Sequence, residues 1–191
     1  MKTLYLMRHG QTLFNKLGKV QGACDSPLTA KGIADAKAAG EFLREHDYHF
    51  DQCFSSTQER ASDTLELVTD QPYQRLKGIK EWDFGLFEGE NETLLPKTYY
   101  TEKSYDDFFV QFGGESATDF QDRVVKAFTE VMTEIPDGQK VLMVSHGAVM
   151  FRFLKALIPM AEIIENVSFH NCAILKLTFD GKKFTFIEQV R

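Results

Sequence analysis

Two short apolar runs, far apart in the chain, each finish in His-Gly. The first is Leu4-Tyr5-Leu6-Met7-Arg8-His9-Gly10, and the second is Val141-Leu142-Met143-Val144-Ser145-His146-Gly147. A short apolar run closed by a turn residue reads as a buried strand. In α/β sheets the ligand crevice lies outside the carboxyl ends of the strands. Arg8, His9 and His146 are therefore expected at one such edge. Gly10 permits a sharp turn or a close backbone approach to a ligand. The repeated ending predicts two imidazoles brought together at one site.

Between these runs, strand and helix signals alternate. Thr29 is an N-cap candidate for a helix over residues 30–45, in which Ile33, Ala36, Ala39, Phe42 and Leu43 fall near helical spacing. Residues 50–54 and 73–78 read as strands, and residues 58–68 as a helix led in by Ser55 and Ser56. Residues 90–112 show no clean period. Ser116 and Asp119 form a start signal for a helix reaching about Ile135. After the turn at Pro136-Asp137-Gly138 come a strand over 141–145 and a buried-type helix over 149–157, closed by Pro159. Residues 173–179 and 183–187 flank Asp180-Gly181 as a hairpin. This order predicts an α/β fold, a three-layer α/β/α sandwich with a mixed, mostly parallel central sheet. At 191 residues and 43% hydrophobic content, one domain over 1–191 is expected.

A net charge of -6 argues against a nucleic-acid partner. An anionic small molecule remains compatible, because local cations dominate within a Debye length of about 8–10 Å. Cys24, Cys53 and Cys172 are odd in number and widely spaced, which fits neither a disulfide framework nor zinc-type pairing. No run has signal-peptide or bilayer-spanning character, so a cytoplasmic location and no membrane partner are expected. No ligand cluster of metal-site type appears, and neither a metal nor a cofactor is expected.

Arg8-His9-Gly10 with Ser145-His146-Gly147 resembles the signature of the histidine phosphatase superfamily, the phosphoglycerate-mutase-like fold. Further segments match in order: Asn15, Gln21-Gly22, Asp25-Ser26-Pro27-Leu28-Thr29, the arginine segment from Ser55 to Thr64, the acid segment from Glu81 to Gly89, and Gly113-Gly114-Glu115-Ser116. The resemblance spans nearly the whole chain. It implies that His9 is the nucleophile and forms a phosphohistidine, which splits one hard displacement into two easier ones. Arg8 and Arg60 would grip phosphoryl oxygens, since a guanidinium stays charged and donates two parallel hydrogen bonds. A protonated His146 would stabilise equatorial charge in the transition state. The backbone N–H of Gly147 would add a donor, and Asn15, Gln21 and Gly22 would contact phosphate or substrate. Glu81 is the general-acid candidate and Glu88 its rival. Glu81 is preferred because Glu81-x-x-x-Gly85 follows the family's acid segment more closely. His46, His49 and His170 read as ordinary, and Ser116 as a helix cap.

The resemblance also implies a cap insertion at about 90–116. It is aromatic (Tyr99, Tyr100, Tyr105, Phe108, Phe109, Phe112) and acidic, with Lys97 and Lys103 its only cations. Cofactor-dependent phosphoglycerate mutases resemble this chain at the core but carry extra basic residues there. The expectation is therefore a metal-independent phosphomonoesterase acting on a small phosphate monoester. The alternatives are a phosphoglycerate mutase and a phospho-ligand-binding regulatory protein without turnover. Monomer and homodimer both stay open.

Overall fold

The computed structural model describes residues 1–96 and 105–191. Of the cap residues named above, Lys97, Tyr99, Tyr100 and Lys103 lie outside the described residues. Six strands form one sheet: β1 Lys2–Arg8, β2 Gln52–Ser56, β3 Tyr73–Leu76, β4 Lys140–Ser145, β5 Ile174–Phe179 and β6 Phe184–Gln189. Their order is β3-β2-β4-β1-β5-β6. The first four are parallel neighbours, whereas β5 runs antiparallel to β1, and β6 to β5. The sheet is therefore mixed, as expected.

Strand residues alternate between two cores because successive side chains point to opposite faces. Leu4, Leu6, Val141 and Met143 join one cluster. Tyr5, Met7, Leu142 and Val144 join the other. On the first face pack α4 Ala117–Glu134 and α5 Gly147–Lys155, through Phe120, Val124, Phe128 and Phe153. The second face is covered by α2 Ala30–Glu45 and α3 Glu59–Val68, through Ala36, Ala39, Leu43, Ala61 and Leu65. Each such fully buried Leu or Phe contributes about 1.5–3 kcal/mol of transfer free energy. Helices on both faces of a mixed sheet make the three-layer α/β/α sandwich.

Sequence-derived boundaries hold best where a cap fixes them. Thr29 accepts from the Gly32 N–H at the start of α2, and Ser116 from the Asp119 N–H at the start of α4, both at 3.0 Å. The strand expected over 73–78 stops at Leu76, where Lys77–Ile79 tighten into a 3-10 turn. Two helices are additional: α1 Leu13–Leu17 and α6 Met160–Asn166. Both are too short to show an apolar period. Among the described residues, no helix is long and apolar enough to cross a membrane.

Candidate active site

β1 and β4 lie side by side in register, with Arg8 opposite Ser145. His9 and His146 each follow by one residue, so they leave the sheet at the same level. The His9 N–H donates to the Ser145 carbonyl at 3.0 Å. As a result the two imidazole centroids stand 5.2 Å apart, with ring planes at 59°. Both side chains are buried, His9 at 3% and His146 at 0% exposure.

The Nδ1 of His9 lies 2.8 Å from the carbonyl oxygen of Gly10. A carbonyl only accepts, so Nδ1 carries the proton and Nε2 keeps its lone pair. Burial, then the neighbouring guanidinium groups of Arg60 and Arg8, push the His9 pKa well below 6.5. The ring is therefore neutral near pH 7. His146 is pushed down in the same way, by burial first and then by Arg60, His9 and Arg8. Neither of its ring nitrogens has a hydrogen-bond partner among the described residues. Beside Arg8 and Arg60 a third buried cation is disfavoured, and a phosphoryl anion among these groups would oppose that push.

Arg8 reaches across the first turn of α5. A Cβ at Gly147 would stand 3.3 Å from its Cζ and Nε, so the glycine makes room for the guanidinium. Arg8 Nη1 donates to the Phe169 carbonyl. At the other side of the site, a Cβ on Gly10 would lie 2.8 Å from the Gly32 oxygen. The bare backbone there lets α2 pack directly on the His9 turn.

Arg60, the second residue of α3, is fully buried. Its Nη1 donates to the Cys24 carbonyl at 2.8 Å and to Asp25 Oδ1 at 2.9 Å, and its Nη2 to the Gly22 carbonyl at 2.9 Å. Much of this guanidinium therefore holds the 22–25 loop, whereas its Nε has no partner among the described residues. Thr64, one turn further along α3, accepts from the Gly10 N–H at 2.9 Å and donates to the Arg60 carbonyl at 2.6 Å. One hydroxyl thus links the His9 turn to the Arg60 backbone.

Glu81 is buried at 8% exposure. Its Oε2 accepts from the Ala148 N–H at the start of α5 at 3.1 Å, and its Oε1 from the Trp82 N–H at 3.0 Å. Burial raises its pKa above 4.5, against the opposing pull of those N–H groups, Arg60 and Arg8. Glu88 has a different environment. Its carboxylate accepts the N–H groups of Gly22, Ala23, Cys24 and Phe84 at 2.8–3.0 Å. It clamps the 22–25 loop, a role distinct from the buried carboxyl of Glu81.

Two amides flank the His9 turn. Asn15 accepts at Oδ1 from the Thr12 N–H and from Asn171 Nδ2, both at 3.2 Å, and Asn171 also donates to the His9 carbonyl at 3.1 Å. Gln21 accepts at Oε1 from the hydroxyls of Thr12 and Ser26, while its buried Nε2 has no partner among the described residues. Each amide spends its oxygen inside the protein. Gly22 departs from the expectation of a substrate contact. Its N–H is taken by Glu88 and its carbonyl by Arg60 and Gln58. Gly147 opens α5, where the first N–H groups lack helical partners.

Gln58 and Thr64 lie in the arginine segment with no role assigned from the sequence, and Asn171 lies outside every matched segment, yet each bonds directly to the segments that hold the site. A hollow of about 300 Å³ lies against Glu81 and Ala23 and is lined further by Lys77, Lys80, Asp83 and Arg123.

The sequence profile of the histidine phosphatase superfamily (branch 1) matches residues 4–190. A 2,3-bisphosphoglycerate-dependent phosphoglycerate mutase of Bradyrhizobium sp. (strain ORS 278) is 32% identical over 174 residues, covering 84% of this chain and 81% of the relative. Among solved structures, phosphoglycerate mutase from Bacillus anthracis str. Sterne superposes with a TM-score of 0.88 at 25% identity, covering 97% of this chain and 91% of its own. Phosphoserine phosphatase from Entamoeba histolytica, in complex with 3-phosphoglyceric acid, gives 0.81 at 26% identity, covering 99% and 96%. With a profile match over nearly its whole length and mutases and phosphatases alike among its relatives, the chain belongs to the histidine phosphatase superfamily, branch 1.

Proposed function

We propose that this protein is a metal-independent phosphomonoesterase that works through a phosphohistidine on His9. The observation that supports this reading best is the pair of buried imidazoles, 5.2 Å apart, within electrostatic reach of Arg8 and Arg60, which push both pKa values down. Two guanidinium groups beside an unprotonated imidazole suit attack on a phosphate monoester. In the first step His9 Nε2 bonds to phosphorus while the P–O bond to the leaving group breaks. Glu81, whose burial favours the protonated form, delivers its proton to that oxygen. In the second step the Glu81 carboxylate takes a proton from water as the water oxygen attacks phosphorus and His9 leaves. Arg8, the Arg60 Nε, His146, Gly147 N–H and the amides of Asn15 and Gln21 are the donors assigned to the phosphoryl oxygens.

The cap supports hydrolysis over transfer. Among its described residues it carries Glu90, Glu92, Asp106, Asp107 and Glu115 and no Lys or Arg. Glu92 lies within electrostatic reach of Arg8. A carboxylate within reach of Arg8 disfavours a substrate bearing its own carboxylate. The second reading, a phosphoglycerate mutase, is favoured by the name and 32% identity of the bacterial relative. A monoester panel that includes phosphoglycerates, sugar phosphates and aryl phosphates, assayed with and without chelator, tests the choice. Release of inorganic phosphate unaffected by chelator is the expected result. Robust, primer-dependent conversion of 3-phosphoglycerate to an enolase substrate overturns it.

The pH profile follows from the same two groups. His9 acts unprotonated, so kcat/KM is lost as pH falls through its depressed pKa, well below 6.5. Glu81 acts protonated, so kcat/KM is lost as pH rises through its raised pKa, above 4.5. The expected profile is a bell centred on the acid side of neutrality. An optimum on the alkaline side contradicts these assignments.

A further inference from the structure

Gln58 is a buried amide, 5% exposed, at the N-cap position of α3. An N-cap side chain ordinarily accepts from the next turn's backbone, but Gln58 makes no such bond. Its polar atoms are committed elsewhere. Oε1 accepts from the Glu81 N–H at 2.8 Å and from the Ser56 hydroxyl at 3.3 Å. Nε2 donates to the Gly22 carbonyl, the oxygen that also accepts from Arg60 Nη2 at 2.9 Å. One side chain therefore spans the loop that anchors Arg60 and the backbone of Glu81.

We propose that Gln58 is a positioning residue that holds the Glu81 carboxyl at the height from which it protonates the leaving group. The proposal rests on the acid role given to Glu81 above. Glu81 is held at four points: Gln58 at its N–H, Arg123 at its carbonyl, and the Trp82 and Ala148 N–H groups at its carboxyl. The two carboxyl contacts fix the end of the side chain only if the backbone beneath it stays in place. Arg123 reaches the carbonyl at 3.4 Å, a long contact, so the 2.8 Å bond from Gln58 is the firmer backbone restraint. Buried amides whose donor and acceptor are both used specify a geometry rather than merely add stability. Through its shared acceptor on Gly22, the same amide keeps the acid and Arg60 in a fixed relation.

The test uses wild type, Gln58→Met, Glu81→Gln and the double variant, each assayed on 4-nitrophenyl phosphate and on an alkyl phosphate. The aryl ester leaves without help, whereas the alkyl ester needs the acid. Gln58→Met is expected to lower kcat/KM for the alkyl ester at least about tenfold more than for the aryl ester. In the Glu81→Gln background the same change adds less than about threefold, because residues acting as a unit are not additive. Equal loss on both esters, or full additivity, overturns the proposal. Gln58→Asn, which withdraws the amide by one methylene, replaces Gln58→Met if that variant does not fold, with the same expected split. Hydrogen exchange at the Glu81 amide needs no turnover and is expected to quicken at least about tenfold in Gln58→Met while β1 and β4 amides hold. Unchanged exchange overturns the role of Gln58. Absence of hydrolysis of either ester by wild type, with that exchange still accelerated, sinks the phosphatase reading alone.

Discussion

His9→Ala protein folds and binds phosphate but turns over no monoester: kcat falls by about four orders of magnitude or more. The size of the effect follows from what His9 does that no neighbour replaces. His146 stands 5.2 Å away ring to ring, but it starts α5 and has no backbone acceptor that fixes its tautomer. Of the two, His9 is the one with Nδ1 tied to a carbonyl, which leaves Nε2 as the attacking nitrogen. The fold survives because the side chain contributes one hydrogen bond and sits beyond the end of β1, outside both apolar clusters. Thermal unfolding and steady-state kinetics on one preparation check both halves. A wild-type melting curve with wild-type rates removes His9 as the nucleophile.

Glu81→Gln lowers kcat by about a hundredfold to ten-thousandfold for alkyl phosphates, the range for loss of a general acid. It lowers the rate far less for an aryl ester whose leaving group departs as a stable anion. The amide keeps the carboxyl's shape but turns an NH2 towards the Trp82 or Ala148 N–H, so the dependence on leaving group is what separates proton delivery from lost bonding. Once the acid is gone, the alkaline limb of the pH profile flattens and the acid limb, set by His9, remains. A uniform loss across leaving groups assigns Glu81 to structure instead. Glu88 serves as the contrast. Its four backbone donors make Glu88→Gln a lesion of the 22–25 loop, with reduced stability and no leaving-group dependence.

Much of this site is visible in the sequence because strands declare themselves strongly. Two apolar runs ending in His-Gly give both the parallel pair at the sheet centre and the meeting of two imidazoles, since register in β1 and β4 does the rest. Thr29 and Ser116 mark helix starts through capping chemistry that is local in sequence. What escapes the sequence is long-range. Gln58 reads as the lead-in to a helix, but its partners are 36 and 23 residues away. Asn171 lies outside every matched segment, yet it contacts His9 and Asn15, some 160 positions earlier in the chain. The downward push on the His146 pKa also escapes, because its causes, burial and the charges of Arg60, His9 and Arg8, are brought together only by the packed chain. The shared edge of Glu81 and Glu88 within one segment hides their opposite environments: one carboxyl is desolvated at a helix N-terminus, and the other is wrapped by a loop.

A covalent intermediate is the central claim, and rapid quench under single-turnover conditions tests it most directly. Protein mixed with a good-leaving-group monoester, quenched in base and mapped by peptide mass, is expected to carry one phosphoryl group on His9, formed and lost at rates that account for turnover. Steady turnover with unmodified His9 at every quench time, or with the phosphoryl group on another side chain, contradicts the account.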